Sequence, residues 1–163
     1  MQDILNKILD NEEITKKSEE LKKQGKKIVM VNGVFDLLHV GHINLLRNSK
    51  KNGNVLIVAM NSDASVNAYK DGRPIINEKE RAIALASLFF IDYVTIFKED
   101  KPLKIIEEIK PHILAKGIYY DSKKVDEEAK LMKKLGGKVI KIKHPVKTST
   151  SQIIDKIRGA KFG

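Results

Sequence analysis

Two histidines, His39 and His42, lie three positions apart and are the strongest candidates in this chain for catalysis or ligand binding. They bracket Gly41 and follow Gly33, a residue that permits a tight turn and close approach of a ligand to the backbone. Imidazole N–H groups donate hydrogen bonds to phosphate oxygens, and such bonds strengthen when charge builds up in a transition state. The pair therefore predicts binding of a phosphate-bearing group.

A metal site is the alternative interpretation of two such histidines. Zinc would need a third ligand, the chain has no cysteine, and His112 and His144 have no ligand-like spacing to the pair. The lack of cysteine also excludes a disulfide scaffold, an iron–sulfur cluster and a thiol nucleophile. We therefore expect no metal held by protein ligands alone.

A run of hydroxyl side chains, Ser149, Thr150 and Ser151, lies close to the C-terminus and precedes the apolar pair Ile153 and Ile154. Serine and threonine cap helices at such positions, which would explain the run without any ligand. The same unpaired backbone amides also bind phosphate groups at helix starts. Both interpretations predict that a helix begins here.

The elements around these residues alternate between strands and helices. Short apolar runs predict strands at 26–32, 55–60, 92–97, 112–117 and 138–143. Amphipathic patterns predict helices at 40–52, 78–90, 102–110, 122–135 and 148–159, with a polar loop at 64–77. Apolar strands between amphipathic helices predict an α/β fold, a Rossmann-like, doubly wound, five-stranded parallel sheet in a three-layer sandwich. Ligands of such sheets bind beyond the carboxyl ends of the strands.

The length of 163 residues predicts one domain over 1–163, with residues 1–25 as an N-terminal helical extension. Lysine and arginine outnumber aspartate and glutamate by 31 to 21, which gives a net charge of +10. Arginine is scarce and aromatic residues make up only 6%, so we do not expect nucleic acid as the partner. No run predicts a membrane span or a signal peptide, and we expect a cytoplasmic protein.

The stretch GVFDLLHVGH at 33–42 and the stretch TSTSQII at 148–154 resemble the two motifs of the cytidylyltransferase-like nucleotidyltransferase family. Members of that family carry His-x-Gly-His or Thr-x-Gly-His after the first strand, and the resemblance covers nearly the whole chain from residue 27. It implies transfer of a nucleotidyl group: a phosphate oxygen of the acceptor attacks the α-phosphorus of a nucleoside triphosphate, and pyrophosphate leaves.

The resemblance also implies roles for particular residues. His39 and His42 would be catalytic and contact the α-phosphate and the bridging oxygen. Nucleotide contacts would come from Gly33, Val34, Phe35, Gly41, Lys116, Gly117, Ser149, Thr150 and Ser151. The charged residues that would interact with the substrate or with its phosphate groups are Asp36, Lys70, Arg73 and Arg81. Lys70 could instead belong to a solvated loop, Arg81 to a helix surface, and Asp36 could orient its loop or lie near the acceptor. Mg²⁺ would accompany the nucleotide, and the family implies a homodimer.

Within the family, the chain resembles bacterial enzymes that adenylylate D-glycero-β-D-manno-heptose 1-phosphate with ATP to give ADP-heptose. The supporting stretches include Asn32-Gly33, 61–65, 72–75 and 92–97. Those enzymes usually have Lys-Gly-Gly-Asp-Tyr where this chain has KGIYY at 116–120. Two alternatives remain: a CTP-dependent enzyme acting on glycerol 3-phosphate or a similar polyol phosphate, and a non-catalytic module that binds nucleotides or nucleic acid.

Overall fold

Strands and helices alternate along the chain in the computed structural model, which describes residues 2–117, 122–143 and 148–160. The strands are β1 (Ile28–Gly33), β2 (Val55–Asn61), β3 (Tyr93–Phe97), β4 (Ile113–Gly117) and β5 (Lys138–Ile142). The helices are α1 (Gln2–Leu5), α2 (Asn11–Lys23), α3 (Val40–Lys50), α4 (Asp63–Asn67), α5 (Glu78–Ala86), α6 (Leu103–Ile109), α7 (Ser122–Lys134) and α8 (Thr150–Gly159). Within the described ranges, no helix combines the length and apolarity needed to cross a bilayer.

The five strands form one parallel sheet in the order β3-β2-β1-β4-β5. In the register of the central strand, Met30 lies opposite Ile57 of β2 and Leu114 of β4. The chain builds outward from β1 through β2 to β3, and then crosses to the other side of β1 to form β4. The crossover places the switch point of the sheet between the carboxyl ends of β1 and β4, where such folds bind ligands.

Helices cover both faces of this sheet because alternate residues of each buried strand point to opposite sides. Val29 and Val31 belong to a core shared with Leu46 of α3 and Leu85 of α5. On the other face, Met30 belongs to a second core. That second core takes in Ile14 of α2, Ile106 of α6 and Met132 of α7. The arrangement confirms the predicted three-layer, doubly wound fold.

The N-terminal segment forms two helices rather than one continuous one. Between them, Leu9 N–H donates to the carbonyl of Val94 at 2.9 Å, and Val94 N–H donates to the carbonyl of Lys7 at 2.9 Å. These bonds pair the segment with the outer edge of β3, which would otherwise expose unpaired backbone groups. The second helix then starts at a capping box in which Asp10 accepts from Glu13 N–H at 2.8 Å. The apolar side chains of this segment, Ile4, Ile8, Leu9, Ile14 and Leu21, pack against the two cores of the sheet.

Most element ends differ from the sequence-based prediction by one or two residues, and two parts of the chain differ more. The stretch 64–77, predicted as a loop, opens with the short helix α4, because the Ser62 hydroxyl accepts from Ser65 N–H at 3.1 Å and caps a turn. The helix predicted over 78–90 ends at Ala86, and Phe89 beyond it is 86% exposed. The predicted helix is too long because the apolar residues 88–90 follow the helix in sequence, although the helix itself ends at Ala86.

Candidate active site

A cavity of about 550 Å³ opens at the carboxyl ends of β1 and β4. Its size lies within the range of sites for small-molecule ligands and cofactors. The predicted site residues that line it are Gly33, Val34, Phe35, Asp36, His39, Gly41, His42, Lys70, Arg73, Lys116, Gly117, Ser149, Thr150 and Ser151. The structure thus brings together in one cavity both sequence motifs, which are more than a hundred residues apart along the chain. Arg81 is the one predicted residue that does not line it.

The two histidines lie against each other at the start of α3. Their ring centroids are 3.8 Å apart with an angle of 25° between the planes, and the Phe35 ring meets the His42 ring edge-on at 5.3 Å. His39 is the N-cap of the helix, and its Nδ1 accepts the Gly41 N–H at 3.1 Å. An imidazole nitrogen that accepts carries no proton, so the neutral His39 ring holds its proton on Nε2. His39 can therefore donate a hydrogen bond from Nε2 to a ligand oxygen.

Gly41 is required by close packing between the two motifs. A Cβ at this position would lie 2.9 Å from Cε1 of His39 and 3.1 Å from the carbonyl oxygen of Thr148. The second contact is with backbone just before α8, which cannot move aside as a flexible side chain would. The glycine therefore lets the histidine helix approach the hydroxyl-bearing helix start.

The loop between β1 and α3 has an unusual backbone. Phe35 and Leu37 adopt φ values of 53° and 48°, in the left-handed region that bulky residues seldom occupy. Asp36 stands between them and holds the loop to residues 73–76, since its carboxylate accepts from Ile75 N–H and Ile76 N–H, each at 3.0 Å. Such strain persists where the surroundings fix it, and it concentrates at functional sites.

The Asp36 carboxyl is held in its ionised form. Burial would raise its pKa, but the hydrogen bonds from Ile75, Ile76 and Arg73 outweigh that cost and lower the pKa of Asp36 below its usual range. Arg73 contributes through Nε, which donates to Oδ2 of Asp36 at 2.6 Å. These bonds fasten the Asp36 loop to residues 73–76, and the carboxylate is engaged by protein donors.

The start of α8 supplies the hydroxyl groups of the cavity. Ser149 is the N-cap, and its hydroxyl accepts Gln152 N–H at 3.2 Å while Gln152 Oε1 accepts Ser149 N–H at 3.0 Å. Thr150 Oγ1 donates to the Asp36 carbonyl at 2.8 Å, so its hydroxyl ties the helix to the histidine loop. Capping and cavity lining therefore occur together here. At a helix start the first backbone N–H groups, those of Thr150 and Ser151, have no intrahelical acceptor.

The basic side chains divide between the cavity and the framework behind it. Lys70 and Arg73 line the cavity, and the ammonium of Lys70 lies 5.6 Å from the centroid of the Tyr69 ring. Arg81 is only 2% exposed and lies behind the loop instead of on a helix surface or in the cavity. Its guanidinium donates to Asp63 and to the carbonyl oxygens of Val34, Asn61 and Ile76. The structure thus gives Arg81 a framework position that does not match the expected contact with substrate charge.

Lys116 and Gly117 end β4 on the far side of the switch point. Lys116 is 2% exposed, and its Nζ donates to Oδ1 of Asn32 at 2.6 Å and pairs with the carboxylate of Glu128 on α7. Burial lowers the pKa of Lys116, and the Glu128 carboxylate opposes that change. The residues 118–120 of the KGIYY stretch lie outside the described residues.

Sequence reasoning missed two residues of this group, Asn32 and Glu128. Asn32 lines the cavity at the carboxyl end of β1. Its place just before the Gly33 turn was a usable signal, because that position ends a strand at the switch point. No local pattern distinguishes Glu128 from Glu127 beside it on α7. Only the packing of α7 on the sheet shows which of the two carboxylates is buried.

Fold and site together define the class. A Rossmann-like sheet carries two stacked imidazoles and a hydroxyl-bearing helix start in one cavity at its switch point, as in proteins that bind nucleoside phosphates. The family model described as cytidylyltransferase-like matches residues 30–156 of this chain. The chain belongs to the cytidylyltransferase-like family, and it is a nucleotidyltransferase.

Curated relatives and solved structures agree with this assignment. The chain is 49% identical over 137 residues to the bifunctional protein HldE of Geobacter metallireducens, a match that covers 83% of this chain and 28% of the relative. HldE of Helicobacter pylori is 46% identical over 137 residues, covering 81% of this chain and 28% of the relative. The chain thus spans about three tenths of the length of these relatives, between 28% and 32% in the matches with HldE proteins.

Among solved structures, a lipopolysaccharide core biosynthesis protein from Thermoplasma volcanium is 34% identical with a TM-score of 0.59, covering 73% of this chain and 96% of that one. A pantoate–beta-alanine ligase from Francisella tularensis, solved with beta-gamma ATP and beta-alanine, has a TM-score of 0.64 at 19% identity, covering 92% of this chain and 77% of that one. The second likeness concerns the fold alone.

Proposed function

We propose that this chain transfers the adenylyl group of ATP to a sugar 1-phosphate, D-glycero-β-D-manno-heptose 1-phosphate, to give ADP-heptose and pyrophosphate. The observation that carries the nucleotidyl-transfer part is the convergence of His39, His42 and the start of α8 in one cavity. The heptose part is supported by the sequence resemblance over 61–65, 72–75 and 92–97. A relative described as a lipopolysaccharide core biosynthesis protein also supports a phosphorylated sugar as acceptor.

The chemistry needs no protein nucleophile. An ionised phosphate oxygen of the acceptor forms a bond to the α-phosphorus of ATP, and the bond from that phosphorus to the bridging oxygen breaks in line with it. Pyrophosphate leaves with the electron pair, and no proton must move, because the nucleophile is an anion at neutral pH. Catalysis then consists of positioning and of stabilising the charge that builds up on the phosphate oxygens.

The cavity residues suit these tasks. His39 would donate from Nε2, and the stacked His42 ring would lie beside the same oxygens. The N–H groups of Thr150 and Ser151 would hold the β- and γ-phosphates at the positive end of the α8 dipole. Arg73 and Lys70 add positive charge at the cavity wall, and Asp36 fixes Arg73 in place.

Magnesium would enter with the triphosphate. No group of three or more histidine, aspartate and glutamate side chains that could hold a metal occurs within the described residues. Of the two carboxylates that line the cavity, Asp36 is engaged by protein donors and Asp100 is exposed. These residues fit an ion carried mainly by phosphate oxygens and water, with Asp100 available as a ligand, which is the usual way that Mg²⁺ is bound with nucleotides.

A pyrophosphate-release assay tests the proposal. ATP and CTP are each combined with heptose 1-phosphate and with glycerol 3-phosphate in the presence of Mg²⁺. We expect fast release for ATP with heptose 1-phosphate and markedly slower release for the other three pairs. Fastest release from CTP with glycerol 3-phosphate would contradict the substrate assignment and favour the cytidylyltransferase alternative. A His42→Ala preparation serves as the blank for contaminating activity.

A further inference from the structure

A buried row of three side chains runs beneath the active-site cavity. Glu128 of α7 pairs with Lys116 of β4, and Lys116 Nζ donates to Oδ1 of Asn32 at the end of β1. The Lys116 and Glu128 side chains are 1% and 4% exposed. Asn32 and Lys116 line the cavity, whereas Glu128 lies behind them. The row therefore connects a helix outside the cavity to an amide on the cavity floor.

The row fixes which way the Asn32 amide faces. An ammonium group donates hydrogen bonds and accepts none, so the amide oxygen must be the atom that faces Lys116. The other end of the amide, Nδ2, carries two donors and is the end left for the cavity. The oxygen and the NH₂ group of an amide have nearly the same shape. Without the ammonium, either of them could therefore face a ligand.

A buried ion pair is a poor way to gain stability alone. Desolvation of the two charges offsets most of their attraction, and apolar side chains of similar volume often stabilise a fold as well or better. In register just below this row, β1 and β4 pair the apolar residues Met30 and Leu114. At the cavity floor the same two strands instead place Asn32 beside Lys116, whose charge is paired from α7. A buried charge in place of apolar side chains at this level indicates that its role concerns the cavity.

We propose that Asn32 is a ligand-binding residue, and that Lys116 and Glu128 are positioning residues that turn its Nδ2–H donors toward an oxygen of the phosphorylated ligand. The identity of that ligand, the nucleotide or the sugar phosphate, rests on the proposed function. Lys116 then acts through Asn32, from within the protein. Glu128 acts one step further back, by holding the ammonium in place and in its charged form.

A charge-conserving swap tests the proposal. The double variant Asn32→Asp/Glu128→Gln keeps one carboxylate beside Lys116, so the buried net charge is unchanged, but residue 32 loses its N–H donors. Dissociation constants for Mg-ATP alone and for the sugar phosphate alone are measured by calorimetry on the full chain. We expect the swap to weaken binding of one of the two ligands by roughly tenfold or more, the effect of losing a hydrogen bond to a charged group.

Two further variants separate positioning from folding. Glu128→Gln should weaken binding of the same ligand. The control is Glu127→Gln, which removes a carboxylate that pairs with Lys101 at the surface, and this variant should bind as the wild type does. Lys116→Met/Glu128→Leu removes both buried charges and should retain its unfolding temperature, yet it should also lose affinity because nothing orients the Asn32 amide.

Wild-type affinity for both ligands in the swap, or in a folded Lys116→Met/Glu128→Leu variant, would overturn the proposal. Because binding is measured, a wild-type chain that binds ligand but releases no pyrophosphate would contradict the proposed function without affecting this test. A wild-type chain that binds neither ligand would overturn both.

Discussion

The Thr150 hydroxyl donates a hydrogen bond to the Asp36 carbonyl at 2.8 Å, across 114 residues of sequence. The carboxylate of the same aspartate holds Ile75 N–H, Ile76 N–H and Arg73. Asp36 thus fastens the start of α8 and the loop before α5 to the strained segment that precedes the histidines. Together with the packing of Gly41 against Thr148, these bonds set the relative position of the two motifs.

Replacing Asp36 with asparagine should therefore affect both stability and activity. Asparagine keeps the approximate shape but loses the charge that pairs with Arg73. Its NH₂ group would also face the N–H donors that the carboxylate oxygens accept. We expect the free energy of unfolding to fall by about 1–3 kcal/mol, as for other hydrogen bonds to charged groups. Turnover should fall by roughly tenfold or more because the reacting groups are misplaced. Urea unfolding and pyrophosphate release measure the two effects.

The contribution of Asp36 to stability should also depend on pH. Its pKa is lowered in the folded protein, so the stabilisation is complete above the pKa of unfolded aspartate, about 3.9, and is lost as the pH falls through the folded-state value. The difference in unfolding free energy between the wild type and Asp36→Asn should be constant from pH 8 to about pH 5 and shrink below about pH 4. Asp155→Asn, on the exposed face of α8, is the control. A difference that grows on acidification would show that the sign is wrong.

His42→Ala should lower turnover by roughly 10²–10³-fold, the effect of removing one preorganised donor, and leave the fold intact. His112→Ala provides the matched comparison, because His112 lies at the amino ends of β1 and β4, opposite the carboxyl ends that carry the cavity. His112 Nδ1 accepts Ile28 N–H at 3.0 Å, so its loss should cost about 1 kcal/mol of stability with no change in turnover. Steady-state kinetics and thermal unfolding of both variants check this. Near-native turnover in His42→Ala would refute its assigned role.

Gly41→Ala should damage the site although it adds only one methyl group. The added Cβ would lie about 3 Å from the His39 ring and from the Thr148 carbonyl, so the two motifs must separate. We expect a loss of about 1–3 kcal/mol in stability from overpacking. Turnover should fall in parallel because the distance between the histidines and α8 changes. Gly159→Ala, where a Cβ meets nothing within 4 Å, should retain activity, and equal activity in both variants would contradict the packing argument.

Arg81→Lys tests whether this residue belongs to the framework. A lysine keeps the charge but cannot serve the separate acceptors on Val34, Ile76 and Asp63 that the guanidinium joins. We expect a loss of about 1–3 kcal/mol in unfolding free energy, because buried carbonyl acceptors lose their donors. Arg158→Lys, exposed on α8, should be unchanged in both stability and kinetics. Unaltered stability with a large rise in KM for the triphosphate would return Arg81 to ligand binding.

Most of the fold could be predicted because its signals are local. Uniformly apolar runs such as 55–60 indicate strands buried on both faces, and glycine or hydroxyl residues mark helix ends. The capped break at Asp10 was harder to predict, since the pattern of apolar residues continues across it. Between the end of α1 at Leu5 and the start of α2, residues 7–9 pair with Val94 of β3, a contact between distant segments.

The chain by itself determined the order of the elements, the placement of His39 and His42 at a strand-to-helix turn, and the hydroxyl-bearing start of α8, because each of these is written in neighbouring residues. Only the tertiary structure decided that Arg81 supports the loop from behind, and that Asn32, Lys116 and Glu128 form one buried row. Whether a charged side chain is buried and paired depends on which segments of the chain pack together across the sheet. The residues next to it in the sequence do not determine its partners.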